Sequence, residues 1–169
     1  MNVLTRWNRL SVAEAVQEIL ACCGSEVWAR ELTARRPIAG ESAVVAASDE
    51  IWDRLSTEDW LQAFSKHPRI GDAKAPPEAL STSAAWSVQE QQSVAAAGES
   101  VQAALAQANQ EYERRFGRVF IVCATGKSGA EMLDILNRRL RNDDAAELRE
   151  AAEEQRKITN IRLKKWLSQ

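Results

Sequence analysis

Serines that precede an acidic residue by three positions, each just ahead of an amphipathic run, recur along this chain at Ser11 and Glu14, Ser56 and Asp59, and Ser128 and Glu131. In such a pair the hydroxyl accepts from the backbone N–H three residues on, and the acid reaches back to the serine's own N–H. Two donors stranded at a helix start are thereby satisfied. Stop signals answer them. Gly24 follows the first run, and Pro37 and Pro68 push the residues before them out of the helical region. The pattern predicts helices over 11–22, 26–35, 41–55, 56–66, 85–97, 99–116 and 128–141, and a last long helix opened by Asp143-Asp144 and ending at Lys164-Lys165, charges that suit its dipole at both ends. Phe120-Ile121-Val122-Cys123, between Gly117 and Gly126, is too short for a typical helix and reads as a buried extended segment or an isolated strand. Gly71 to Ser83, with Pro76-Pro77, reads as an irregular connection. The fold class is therefore all-α: a single-domain bundle of about seven or eight helices with one short extended segment near 119–124.

The chain's 169 residues, 45% of them hydrophobic, suit one globular domain over 1–169, and no linker interrupts them. With 22 basic and 24 acidic side chains the net charge is -2, so no overall positive field collects phosphates and nucleic acid is not expected as a partner. The cluster Arg114, Arg115 and Arg118 is interleaved with Glu111 and Glu113 and reads as a solvated helix end. No stretch approaches the roughly 18 apolar residues of a membrane span, and the N-terminus lacks a signal pattern, so no membrane is expected. Cys22, Cys23 and Cys123 cannot all pair, and adjacent cysteines are poorly placed to bond to each other. They read as reduced, buried hydrophobes in a cytoplasmic protein.

The only histidine, His67, stands where a helix stops and Pro68 fixes the exit of the chain. At about 100° per residue it shares a face with Trp60 and Phe64, so it emerges beside an apolar surface. It is either a capping histidine or a proton carrier held in one orientation. Ser87, Glu90, Gln91 and Val94 follow the i, i+3, i+4, i+7 spacing and form one helical stripe with a hydroxyl, a carboxylate and an amide. That stripe faces either solvent or a pocket. On the last helix Ala152, Gln155, Thr159, Arg162 and Trp166 fall within about 40° of Leu148, which turns a guanidinium inward. An inward arginine needs an anion, either an internal carboxylate or one on a ligand.

The hexapeptide His67-Pro68-Arg69-Ile70-Gly71-Asp72 resembles the signature of the 2-oxo-4-hydroxy-4-carboxy-5-ureidoimidazoline (OHCU) decarboxylases of urate breakdown. The resemblance continues, in order, through Ser87-x-x-Glu90-Gln91, Phe116-Gly117, Phe120 to Ala124, Arg139-Leu140-x-Asn142-Asp143 and Ile158-x-x-Ile161-Arg162-Leu163. Trp28 and Arg36-Pro37 fit upstream. Gln92 departs from it, standing where a small residue is expected.

The resemblance implies a cofactor-independent and metal-free carboxy-lyase, all-helical and usually a homodimer, that converts the small-molecule substrate OHCU to (S)-allantoin. By it, His67 is the catalytic proton carrier and Glu90 its companion. Pro68, Ser87, Gln91, Phe120, Ile121, Val122, Cys123 and Ala124 line the substrate site, and Arg162 binds substrate. No fused transthyretin-like hydrolase domain is read in the sequence, and the closing Trp166-Leu167-Ser168-Gln169 is not a peroxisomal Ser-Lys-Leu address. The competing reading is a non-catalytic helical protein-interaction module. A metalloenzyme is poorly supported, since one histidine and the absence of C-x-x-C and H-E-x-x-H leave too few ligands at metal-site spacing.

Overall fold

The structure, a computed structural model, describes residues 2–72, 76–77 and 79–169. Among these, ten helices follow one another: α1 Val3–Trp7, α2 Val12–Ile19, α3 Glu26–Ala34, α4 Glu41–Arg54, α5 Thr57–Phe64, α6 Ser81–Glu90, α7 Gln92–Ala95, α8 Glu99–Phe116, α9 Gly129–Arg139 and α10 Asp144–Leu167. The all-α class is observed, and no strand occurs among the described residues.

The capping serines act as their spacing requires. Ser11 and Ser128 close full boxes with Glu14 and Glu131. Ser56 does the same with the shorter Asp59, whose carboxylate takes both the N–H and the hydroxyl of Ser56. Gly117 stops α8 in the left-handed region at φ 66°, and its N–H closes on the Glu113 carbonyl. That conformation suits a residue without a Cβ.

Two local features differ from the expectation. The short α1 is added at the start, capped by the Asn2 side chain. The helix expected over 85–97 begins earlier, at Ser81, and breaks at Gln91, whose φ of -99° and ψ of 14° leave the helical region. Of the two forms expected for residues 119–124 the isolated strand is not observed: the segment has neither helix nor sheet pairing, and Phe120 to Ala124 are buried. Of the irregular connection expected over 71–83, residues 73–75 and 78 lie outside the described residues, while 81–83 already belong to α6.

The chain divides into two compact units, one formed by the chain up to Ala63 together with Arg156–Gln169, the other by Phe64–Gln155. The first is organised by tryptophans. Trp7 meets Trp166 edge-on at 5.6 Å, and Trp28 satisfies its indole N–H on Ser48 at 3.1 Å. Ile19, Leu32 and Ile51 are fully buried with them. Burying a large apolar side chain of this kind contributes about 1.5–3 kcal/mol.

The second unit is built on α8 and α9. Leu105, Ala108, Tyr112 and Phe116 from α8 pack with Met132 and Leu136 from α9, and Phe120, Val122 and Ala124 join them from the unpaired segment. α9 begins with Gly129 because its first turn passes close to Ala97; a Cβ there would stand 2.8 Å from the Ala97 Cβ. On α10, Ala152, Gln155, Thr159, Arg162 and Trp166 are all buried, and the inward stripe predicted from the 3.6-residue period is observed.

Candidate functional site

The hexapeptide after α5 is fastened at nearly every position. The His67 N–H closes a turn on the Phe64 carbonyl at 3.1 Å. Pro68 is buried, and Ile70 enters the hydrophobic core of the second unit. The Ile70 carbonyl accepts from the buried Asn109 side chain at 2.8 Å. Arg69 turns outward and pairs with Glu113, its Nε and Nη2 each donating to one carboxylate oxygen. Gly71 sits at φ 88°, and its N–H donates to the Gln91 amide oxygen at 3.0 Å. A segment pinned by a proline, a core side chain and these hydrogen bonds holds His67 with little freedom.

The imidazole itself is half-buried, with its Nε2 2.7 Å from the side-chain oxygen of Gln155. Gln155 lies on α10 and is fully buried. Reading the sequence placed Gln155 on the inward stripe of the last helix but assigned it no partner. A contact across 88 residues leaves no local signal beyond that periodicity.

Pro68, Ser87 and Gln91 border one hollow of about 90 Å³, together with Gly71, Val88 and Val94. Three of the residues expected at a substrate site are thus brought together, with a hydroxyl and an amide against apolar walls. A wider groove of about 400 Å³ runs along Arg69, Asp72, Gln102 and Asn109. None of the expected site residues borders it, so the first hollow is the candidate.

Glu90, the last residue of α6, is half-buried. Its negative charge reaches the Cys123 thiol, which is pushed up by burial and further by Glu154 and Glu90, with Lys127 opposing them.

Phe120, Val122 and Ala124 place their side chains in the core, and the segment is held through its backbone. Arg139 donates to the Ile121 carbonyl at 2.6 Å, and the Cys123 N–H donates to Glu154 at 2.8 Å. Lys127 donates to the Cys123 carbonyl at 2.7 Å. These bonds replace the sheet partners that an extended run would otherwise need.

Arg139 is a residue whose role the sequence did not disclose. It is buried at 0% exposure against Glu147, also at 0%, and Glu147 additionally takes the Tyr112 hydroxyl at 2.6 Å and the Asn142 side chain at 2.9 Å. Burial and the bond to Glu147 push the Tyr112 hydroxyl up. The Arg139-to-Asp143 stretch is therefore a structural knot. Asp143 ends it by capping α10 through the Ala146 N–H at 2.8 Å.

Arg162 belongs to the first unit and is buried, with one guanidinium nitrogen 3.5 Å from the Ala21 carbonyl. Its charge bears on Cys22 and Cys23. Burial raises both thiols, Cys23 to about 11, while Arg162 draws each back. All three cysteines are free and buried, as expected.

An all-helical chain whose rigidly held histidine directly precedes a proline that borders a small polar-edged hollow fits an enzyme acting on a small molecule. The comparisons with known proteins make this specific. The model of the OHCU decarboxylase family matches residues 8–164. The chain belongs to this family of carboxy-lyases. It is 39% identical over 148 residues, 87% of its own length, to the uric acid degradation bifunctional protein TTL of Arabidopsis thaliana. It is 26% identical over 95% of its length to the uric acid degradation bifunctional protein of Bacillus sp. (strain TB-90). It spans 45% and 31% of those two relatives. A crystal structure of an OHCU decarboxylase in the presence of (S)-allantoin superposes with a TM-score of 0.76 at 34% identity, covering 90% of this chain and 98% of that one. A structure of (S)-allantoin synthase, 17% identical, shares the fold at a TM-score of 0.72 over 97% of this chain and 53% of that one.

Proposed function

We propose that this chain decarboxylates OHCU to (S)-allantoin without a cofactor, with His67 as proton carrier and Glu90 as its companion. The observation that carries this reading is the match to an OHCU decarboxylase solved with (S)-allantoin, which this chain covers over 98% of its length. The hollow bordered by Pro68, Ser87 and Gln91 supports it.

In the proposed reaction the carboxylate leaves as carbon dioxide, and its bonding pair passes into the imine of the substrate's own ring. That sink is why no pyridoxal, thiamine or metal is required. His67 exchanges a proton with the substrate's hydroxyl or departing region, and Glu90 balances the imidazole charge. Ser87, Gln91 and the backbone of Phe120 to Ala124 fix the ring and ureido arm, with Pro68 closing one wall. Arg162 offers its planar fork to an anionic or carbonyl part of the substrate. Protonation from one face yields one enantiomer.

The protein acts as a homodimer in the cytoplasm, a setting that suits three unpaired cysteines. Among the described residues no helix is long and apolar enough to cross a membrane.

The test generates the unstable substrate in place with uricase and hydroxyisourate hydrolase and follows circular dichroism. Adding the protein should speed the appearance of one allantoin enantiomer. A rate and a racemic product identical to the protein-free reaction would sink the proposal and favour an interaction module.

A further inference from the structure

We infer that the hollow bordered by Pro68, Ser87 and Gln91 receives the ureido arm of the substrate, and that Gln91 meets it as a donor: the Gly71 N–H occupies its amide oxygen, which turns its amide nitrogen to the ureido carbonyl. This rests on the reading of the chain as an OHCU decarboxylase and deepens it, assigning one part of the substrate to one atom of the wall.

The two ends of a side-chain amide have nearly the same shape, and its hydrogen-bond partners decide which way round it sits. At Gln91 one partner decides it. A backbone N–H only donates, so the group 3.0 Å from the Gly71 nitrogen is the amide oxygen. The amide nitrogen is the polar end left over, and it makes no hydrogen bond among the described residues. Gly71 and the half-buried Gln91 both border the hollow, so this donor stands at its wall.

Size decides which part of the substrate enters. A cavity of about 150 Å³ takes a benzene ring, and this hollow measures about 90 Å³. It has room for a planar group smaller than benzene and not for the whole ureidoimidazoline. The ureido arm is such a group, short and flat, with one carbonyl oxygen between two nitrogens. Pro68, Val88 and Val94 give it apolar walls, so polar groups there are few. Ser87 and Asp72, also on the wall, have interactions of their own, Asp72 with the charge of Arg69. An incoming carbonyl oxygen finds its donor at Gln91. An amino group at that point would face another donor and stay unpaired, which costs more than a hydrogen bond contributes. The arm is thereby turned one way.

Two substitutions separate a donor from an acceptor. Gln91→Leu removes both ends of the amide. Gln91→Glu keeps an acceptor for the Gly71 N–H, which controls for folding, but turns an oxygen to the hollow. Gln91→Leu should raise KM for freshly generated OHCU and Kd for (S)-allantoin about tenfold, and Gln91→Glu should raise both further, since a carboxylate repels a carbonyl oxygen. Wild-type binding in Gln91→Glu would show an acceptor facing the hollow and overturn the proposal. Wild-type KM and Kd in a folded Gln91→Leu would overturn it too, leaving Gln91 only as a brace for Gly71. Carbon-13 labelled allantoin identifies the arm: the ureido carbonyl signal should shift on binding to the wild type and shift less with Gln91→Leu, while the ring carbonyls respond alike to both proteins. Dependence on Gln91 confined to the ring carbonyls would overturn the placement. Scalar coupling across the hydrogen bond, from the Gly71 nitrogen to the Gln91 side-chain carbonyl carbon, reads the amide's orientation without any ligand. If the wild type fails to speed OHCU decay, the decarboxylase reading falls while that coupling still reports the bond; if it speeds decay but Gln91→Glu binds like the wild type, only the present inference falls.

Discussion

Arg139 holds the backbone of the unpaired segment: its guanidinium donates to the Ile121 carbonyl at 2.6 Å while its other nitrogens grip the carboxylate of Glu147. Both charges are fully buried, so each is tolerable only while the other is present.

Removing one partner should therefore be costly. Arg139→Met and Glu147→Gln are each expected to lose about 3–5 kcal/mol in urea unfolding. Losses below about 1 kcal/mol for both would show that the pair does not anchor this unit.

His67→Ala should lower turnover of freshly generated OHCU by about 10² or more, with the far-ultraviolet spectrum unchanged. Wild-type turnover in that variant would end the assignment of His67.

Two glycines should respond to alanine for different reasons. Gly71 sits at φ 88°, and its new Cβ would lie 3.7 Å from Val94 Cγ1, an ordinary contact. The cost of Gly71→Ala, about 1–2 kcal/mol, should come from the backbone alone. Gly129→Ala instead meets the Ala97 Cβ at 2.8 Å and should cost about 1–3 kcal/mol through overpacking. Adding Ala97→Gly should restore stability lost in Gly129→Ala and do nothing for Gly71→Ala. Equal rescue of both would contradict this distinction.

The cysteines link stability to alkaline pH. Burial raises Cys23 from the ordinary thiol value of 9.0 to about 11. The folded value lies above the unfolded one, so the contribution is complete below 9.0 and is lost as pH climbs through about 11. A loss on the order of 2 kcal/mol from this group is expected, in unfolding curves taken between pH 8 and 11. At pH 8 a thiol reagent should leave the native chain nearly untouched, yet titrate three thiols in denaturant. Rapid reaction of all three in the native protein would contradict their burial.

Where helices begin and end is decided within a few residues, and there the sequence was legible. Ser11, Ser56 and Ser128 cap helices because a hydroxyl and an acid three positions apart can satisfy stranded N–H groups without help from elsewhere. The inward stripe of α10 followed from helical period alone, and the ordered motifs from His67 to Arg162 marked the family. What the motifs do mechanically belongs to tertiary structure. The stripe from Ser87 to Val94 is split at Gln91, and that side chain is taken by the Gly71 N–H, twenty residues earlier in the chain. Buried Arg139 clamps residues 121 and 147, and Gln155 meets His67 across 88 residues. Capping and periodicity act over one or two turns, so sequence spacing encodes them. A buried guanidinium, carboxylate or amide must be paired wherever the fold brings a partner, and only the three-dimensional arrangement names which one.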